Sequence, residues 1–434
     1  MVGDRLARFK LRKSTQDIDA ALRFVVRSAA ERVPFYRDLY ARVGADPRSI
    51  VSVDDLARLP VVRRPDLLAA GHGGHLRVGT DPRTLSRRST TGTTGEPLTV
   101  FTSRTETLFR KAALLDSFRR RARLPLSVTI ADVGSYTAGS DIAQRLRLVR
   151  IERIRRSLPI DEQVRRLARL TPDLIEGRPS SLWALAAEAS RMGACLPRPR
   201  LIVAFGEVLH EPVRRAVETA FDCRVADYYN CEEVGNIAWE CPHHEGTMHL
   251  NPATAILEVV DDAGRPTPLG EIGRVLLTNL FNRTMPFIRY DTGDRASSLG
   301  MAQCSCGFYG RSIGALDGRD EDFFRMPDGR MVTPRKVHLA VVGILYQKDV
   351  GNELFRAVHR MKIVQEAVDR IVLRVVPGPS YSDALWDGVE DWVRGLHPEM
   401  RIAIETVRPE ELESDGKYRI VTSLVPRVRE GAVT

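Results

Sequence analysis

The sequence has no apolar run approaching the roughly 20 residues that cross a bilayer, and Val337 to Tyr346 is among its longest. Its opening residues, Met1-Val2-Gly3-Asp4-Arg5, lead into a charged segment and lack the apolar core of a secretion signal. A soluble, cytoplasmic protein with no membrane partner is therefore expected. Cysteine is sparse, at 195, 223, 231, 241, 304 and 306 in 434 residues, so no disulfide framework is expected. Cys195 and Cys223 lie in apolar or helical contexts and read as plain buried thiols. There is no internal repeat and no low-complexity linker. Clustered basic tracts are also missing beyond Arg119-Arg120-Arg121, although Lys plus Arg total 65 against 56 acids for a net charge of +9. The basic residues are mostly arginines interleaved with acids, as from Arg145 to Arg169, which favours a solvated surface over a nucleic-acid groove. Anionic small molecules such as nucleotides stay open as ligands.

Hydrophobic types make up 43% of the chain, which excludes a disordered tail and provides for two or three structural units. The first 80 or so residues read as helical, with apolar residues at helical spacing from Ile18 to Arg32 and breaks at Pro34, Pro47 and Pro60. A Thr/Gly-rich turn within Arg87 to Phe101 joins two strands and precedes a helix over Thr105 to Arg121. Strands at Val128 to Val133, Leu201 to Phe205 and Val225 to Tyr229 alternate with helices at Glu162 to Leu170, Ser181 to Met192 and Glu211 to Phe221. That alternation predicts an α/β layer architecture. From Ala253 the chain turns β-rich, with a hairpin of Ile256 to Val260 and Gly273 to Thr278. A smaller α+β unit follows, with strands at Ile371 to Val376 and Ile402 to Val407. One helix between them carries Leu385, Val389, Trp392, Val393 and Leu396 on one face. The expected division is a large N-terminal domain, 1–317, and a small mobile C-terminal domain, 318–434, with a hinge near 319–322.

Two stretches stand out chemically. Ser89-Thr90-Thr91-Gly92-Thr93-Thr94-Gly95-Glu96-Pro97 offers backbone N–H groups and hydroxyls to an anion, and reads equally as a polar hairpin turn. It lacks the Gly-Lys-Ser/Thr ending of a Walker loop. Cys241-Pro242-His243-His244 is a Cys-x-x-His, and Cys304-Ser305-Cys306-Gly307 is a Cys-x-Cys. Four soft ligands in two knuckles match a tetrahedral structural zinc site. Free buried thiols and a redox pair are the alternatives, and His243 and His249 are spare histidines.

The segment from Thr90 to Pro97 resembles the phosphate loop of the adenylate-forming superfamily. Tyr229-Asn230-Cys231-Glu232-Glu233, Arg289-Tyr290-Asp291-Thr292-Gly293-Asp294, Gly318-Arg319 and Gly416-Lys417 are similar to later segments of the same superfamily, in the same order. Val33-Pro34-Phe35-Tyr36-Arg37, Leu59-Pro60-Val61, the stretch from Pro172 to Ser180 and the Pro327-Asp328-Gly329 turn resemble the phenylacetate–CoA ligase and capsule-biosynthesis-like branch. The resemblance implies ATP-dependent activation of a small-molecule carboxylic acid, aryl or acyl, as an acyl-adenylate with pyrophosphate release, then transfer to CoA. It implies that Lys417 and Glu233 are catalytic, with Glu233 holding Mg²⁺. Thr90, Thr91, Gly92, Thr93, Thr94 and Gly95 would hold the phosphates, with Glu207, Tyr229, Asn230, Asp294 and Arg319 also around the nucleotide and Glu321 at the hinge. By the same resemblance the zinc ligands would be Cys241, His244, Cys304 and Cys306.

Several residues depart from the family pattern. Glu96 stands where many relatives carry Lys, and Glu232 replaces a hydroxyl residue beside Glu233, where paired carboxylates could raise a pKa or favour Mg²⁺. Glu321 occupies a position where Asp is common. The Arg-Gly-x-x-Val loop of many CoA ligases is replaced by Phe323 to Arg330. This last change keeps an amine acceptor, giving an amide, as the alternative to CoA, while the +9 charge with Glu96 and Glu232 motivates a third reading, a non-catalytic zinc scaffold that binds nucleotide or nucleic acid. Candidates for the acid pocket are Tyr136, Phe205, Tyr228, Tyr229 and Asn230, and a homodimer is allowed for by analogy with relatives.

Overall fold

The computed structural model describes residues 2–90, 97–122, 124–133, 149–347, 357–412 and 419–426; at 2–16, 72, 344, 346, 347 and 410 it describes the backbone alone. The chain forms two compact units. One combines Met1–Arg123 with Ala226–Leu316, the other Leu124–Val225 with Asp317–Thr434. The chain from Asp317 onward therefore shares its unit with Leu124–Val225. The division of 1–317 from 318–434 expected from the sequence follows chain order, and the compact units cut it differently.

The first unit begins with helices Val2–Arg32 and Pro34–Val43, the second opened by a proline whose missing N–H costs nothing at that position. Gly44 ends it in the left-handed region, φ 66°. Leu22, Val26, Tyr36, Leu56 and Phe287 form the core beneath these helices. Strands Ser86–Ser89 and Thr99–Thr102 pair antiparallel, with Ser89 opposite Thr99. Thr90 closes the hairpin twice: its N–H donates to Leu98 O at 2.9 Å, and its Oγ1 accepts from Leu98 N at 3.0 Å. Helix Arg104–Arg121 starts at a reciprocal cap between Ser103 and Glu106.

The rest of this unit is antiparallel sheet. In spatial order its strands are Ala255–Val260, Ile272–Asn279, Tyr290–Gln303, Tyr309–Gly314, Thr247–Leu250, Gly235–Glu240 and Val225–Cys231. Val234, Ile237, Val275, Leu277 and Ile313 fill its core.

The second unit contains four parallel strands in the order Leu201–Phe205, Leu174–Gly177, Val128–Val133 and Val149–Ile154. Helices Ile160–Ala168, Pro179–Met192 and Glu211–Phe221 belong with them. A second sheet runs Arg401–Thr406, Arg370–Pro377, Val358–Ala367, Val421–Ser423. The apolar strand and helix assignments from sequence hold here, Val128–Val133, Leu201–Phe205 and Glu211–Phe221 to the residue. The single helix expected between Ile371 and Val407 is two pieces instead: a 3₁₀ turn at Asp383–Trp386 and a helix at Val389–Arg394. Gly388, at φ 88°, breaks it. Trp386 supplies the buried indole, while Trp392 is 36% exposed. Among the described residues no helix is long and apolar enough to cross a membrane.

Two imidazoles are buried in the second unit. His210, at the start of helix Glu211–Phe221, stacks on His338 of helix Pro334–Gln347 with centroids 3.7 Å apart. Burial, then the charge of Arg335, holds His210 down at about 3, and burial holds His338 well below its ordinary range. Both are neutral in the fold, whereas the unfolded chain takes up protons near pH 6.5. Stability is thus fully present above pH 6.5 and is lost as pH falls below it, by at most about 1.4 kcal/mol per pH unit per histidine. Urea midpoints measured from pH 7.5 to 5 should fall accordingly, and His338→Phe should reduce the slope by about half.

Candidate functional site

The first unit brings two of the motifs together through an exchange of phenols. Tyr229 and Glu233 are four residues apart, as are Tyr290 and Asp294. Each tyrosine serves the other pair's carboxylate. The Tyr229 hydroxyl donates to Asp294 Oδ2 at 2.6 Å, and the Tyr290 hydroxyl donates to Glu233 Oε1 at 3.1 Å. Burial, then the neighbouring carboxylate, pushes both phenols well above their ordinary range, so both remain protonated donors. Tyr229, Tyr290 and Glu233 are buried.

Local register explains how the carboxylates are presented. Between Arg274–Arg295 and Leu276–Asp291, one strand advances two residues while its partner advances four. The surplus bulges out Thr292-Gly293-Asp294 and takes Asp294 off the ladder. Gly293, at φ 75°, makes that bulge, and its N–H donates to Asp291 Oδ1 at 3.0 Å. Asp294 N donates to Thr292 Oγ1 at 3.1 Å. Glu233 lies in the short turn joining strands Val225–Cys231 and Gly235–Glu240. Arg110 braces this turn, donating to Glu232 O at 2.6 Å and Cys231 O at 3.2 Å. Gly235, at φ 97°, is required because a Cβ there would lie 2.8 Å from the Arg110 side chain. Burial, then the charge of Glu233, pushes the Cys231 thiol well up, so it stays protonated.

Glu232 does not join Glu233 in a shared carboxylate site. It turns toward Arg88 and Arg110, at 3.4 and 3.3 Å. Asn230 accepts from Asn236 Nδ2 at 3.0 Å, and Asn236 in turn accepts from Asn251 at 2.9 Å. Tyr228, a candidate for the acid pocket, is instead a core residue. It is 1% exposed, packs edge-on against Phe118 and donates to Ser117 O at 3.3 Å. On a strand alternate side chains face opposite ways, so Tyr228 and Tyr229 cannot both face one site.

The cysteine knuckles converge, with one change of ligand. One ligand atom each from Cys241, His249, Cys304 and Cys306 lies within 4.8 Å of the others. Cys241 Sγ and Cys304 Sγ are 3.5 Å apart, and His249 Nε2 is 3.2 Å from Cys306 Sγ. These spacings approach the ~3.8 Å ligand separation that tetrahedral bonds of ~2.3 Å impose. His244, the histidine expected from the Cys-x-x-His spacing, bonds Ser305 Oγ at 2.9 Å instead. His249 fills the fourth place because strand Thr247–Leu250 runs between Gly235–Glu240 and Tyr309–Gly314, opposite both Trp239 and Ser312. Ser312 Oγ on Nδ1 at 3.0 Å aims Nε2 at the sulfurs. Burial lowers His249 to about 4, leaving the neutral imidazole that binds metals.

In the second unit, Glu207 follows strand Leu201–Phe205 after Gly206, at φ 81°. Its carboxylate accepts from Ser180 N at 3.0 Å and Ser180 Oγ at 3.1 Å. Phe205, half-buried, ends that strand. Arg319 lies 3.8 Å from Glu321. Arg419 ties the segment expected to be a hinge down, with ion pairs to Glu321 at 2.7 Å and Asp322 at 2.8 Å. Thr91, Gly92, Thr93, Thr94, Gly95, Tyr136 and Lys417 lie outside the described residues. Sequence reasoning passed over Tyr290, Arg110 and Arg419. Tyr290 carried a signal, since its spacing to Asp294 repeats that of Tyr229 to Glu233.

No protein-family model matches the chain. It is 28% identical over 351 residues to a phenylacetate–coenzyme A ligase of Thermus thermophilus, covering 79% of this chain and 77% of that one. It is 22% identical over 303 residues to Protein CapK of Staphylococcus aureus, covering 67% and 63% respectively. A crystal structure of 2-hydroxyisobutyryl-CoA ligase in the postadenylation state superposes with a TM-score of 0.77 at 22% identity, over 95% of this chain and 90% of that one. Fold, motif order and relatives together define an adenylate-forming ligase of the AMP-forming, acid–CoA ligase-like class. Within that superfamily the chain is similar in sequence to the phenylacetate–CoA ligase-like branch.

The phenol exchange has a measurable consequence. Tyr229→Phe should lower the unfolding free energy by about 1.5–3 kcal/mol, the range for a hydrogen bond to a charged group. Combined with Asp294→Ala it should cost less than the sum of the two single changes, read by urea denaturation. Additive costs would deny the contact.

Proposed function

We propose that this ligase activates an aryl or acyl carboxylic acid as its acyl-adenylate and passes the acyl group to CoA. The observation that carries the reading is the phenol exchange, which holds Glu233 and Asp294 on one side of the same unit. In the first half-reaction a carboxylate oxygen of the acid attacks the α-phosphorus of ATP. The bond from that phosphorus to the bridging oxygen breaks and pyrophosphate leaves. In the second, the sulfur of CoA attacks the acyl carbon and AMP leaves.

Nucleophile and electrophile are both anionic, so donors and cations must oppose their charge in the transition state. The hydroxyls and N–H groups of the Thr90–Gly95 stretch are suited to the phosphates. Asp294, oriented by Tyr229, accepts hydrogen bonds from the ribose hydroxyls, a task that needs an ionised carboxylate. Lys417, by its motif, brings a positive charge to the reacting carboxylate and α-phosphate. Glu233 is a fitting ligand for Mg²⁺, which when bound supplies positive charge against the triphosphate. The buried neutral phenol of Tyr290 fixes which way that carboxylate points.

Cys241, His249, Cys304 and Cys306 are suited to a zinc ion that serves structure. Four protein ligands complete a tetrahedron and leave no open position for substrate. When bound, the ion cross-links the end of strand Gly235–Glu240 to the turn between Tyr290–Gln303 and Tyr309–Gly314. An amine acceptor is the second reading. It is favoured by the segment after the hinge, where Phe324–Arg325 pairs with Met331–Val332 across a tight turn, Gly329 N donating to Met326 O at 2.9 Å.

Pyrophosphate release screened over a library of carboxylic acids, with and without CoA, tests the chemistry. Release should require an acid and fall at least a thousandfold in Lys417→Ala, and CoA thiol should be consumed with a thioester formed. Amide formation with amines and no thioester for any acid would select the second reading. For the metal, native mass spectrometry should find one zinc per chain, lost in His249→Ala and kept in His244→Ala. Chelation should lower the melting temperature of the parent protein.

A further inference from the structure

Away from the motif residues, the first unit contains a cavity of about 520 Å³ whose wall is mostly arginine. Arg23, Arg27 and Arg32 come from the last turns of helix Val2–Arg32, and Arg77 and Arg283 from two other segments. Glu31 is the single carboxylate in the lining. Elsewhere the arginines of this chain are commonly paired, as Arg166 is with Glu162 and Arg191 with Glu188. Among the described residues, Arg27, Arg32, Arg77 and Arg283 have no ion-pair partner within 4.0 Å. Five guanidiniums around one carboxylate repel one another, and an anion in their midst removes that repulsion.

The frame behind these side chains is fixed. Arg77 N donates to Thr284 O at 3.0 Å, and Val78 N donates to Arg32 O at 2.8 Å. Glu106, anchored at the start of its own helix, accepts from Arg283 N at 2.8 Å and Thr284 N at 3.1 Å. All three arginine-bearing segments are thus joined through backbone hydrogen bonds, and the guanidiniums start from fixed positions. Phe24, 47% exposed, faces the same cavity, with the Arg283 guanidinium 4.1 Å from its ring centroid. An exposed aromatic ring among guanidiniums offers a surface on which a flat part of a ligand can stack.

We infer that this cavity binds a nucleotide-sized organic phosphate, its phosphates against the arginines and its ring against Phe24. Planar guanidinium forks match phosphate oxygens two by two, which lysine cannot do. The volume lies in the range of small-molecule sites. None of its lining residues belongs to the adenylation motifs, so the site stands whether or not the proposed reaction is correct.

Calorimetric titration of the full-length chain with ADP, and separately with pyrophosphate, tests it. ADP should occupy two sites per chain. Arg27→Gln with Arg77→Gln should weaken one of them at least thirtyfold and leave the other unchanged. Lysine at both positions should restore part of the affinity, and circular dichroism should show the same fold in each variant. Phe24→Ala should weaken ADP at that site five- to tenfold without changing pyrophosphate, which distinguishes a nucleotide from a bare polyphosphate. A single ADP site that the glutamine pair leaves unaltered, or two sites both unaltered in that variant, would overturn the inference, whereas a single site weakened by it would count against the adenylation reading alone. Equal weakening of pyrophosphate by Phe24→Ala would overturn its nucleotide part.

Discussion

Everything at the candidate centre depends on two phenols donating across the sheet to two carboxylates. Glu233 sits in a turn and Asp294 in a bulge, both of them places where the backbone alone would let a carboxylate swing. A buried tyrosine hydroxyl on each removes that freedom and also meets the cost of taking a charged group out of water. The arrangement is self-consistent because burial, and then the carboxylate each phenol serves, raises the phenol's pKa and so keeps the donor protonated. Arg110 then fixes the turn from behind, and Gly235 exists to let it pass.

The cysteine cluster extends the same logic. Its cysteines sit at the far ends of the strands that carry Glu233 and Asp294, and His249 joins them from strand Thr247–Leu250, between Gly235–Glu240 and Tyr309–Gly314. In the proposed reading, an ion held there would restrain the two strands whose relative position sets the phenol exchange. The same strand order explains why a regular-looking Cys-x-x-His lost its histidine. Spacing in sequence places a side chain near a turn, while ladder register decides which side chain faces the sulfurs.

Much of the fold was legible because apolar periodicity and punctuation agree along the chain. Val128–Val133 and Leu201–Phe205 are buried strands with few polar interruptions, and Glu211–Phe221 is sharply amphipathic. The reading failed where one glycine outweighed a pattern, as at Gly388, and where alternation was ignored, as with Tyr228 beside Tyr229. It also credited Glu232 with a role beside Glu233 because adjacency in sequence was taken for adjacency of side chains. Two arginines from distant segments claim Glu232 instead.

The sequence by itself determined the family resemblance, the order of the motifs and the chemical types at each position, because these are properties of residues and their spacing. It could not determine which tyrosine serves which carboxylate. Strands Val225–Cys231 and Tyr290–Gln303 stand four places apart in the sheet, about 19 Å if it were flat, far beyond the reach of a phenol. Only the curl of that sheet closes the distance, and curl arises from the summed twist of many strands and their bulges, which no single segment encodes.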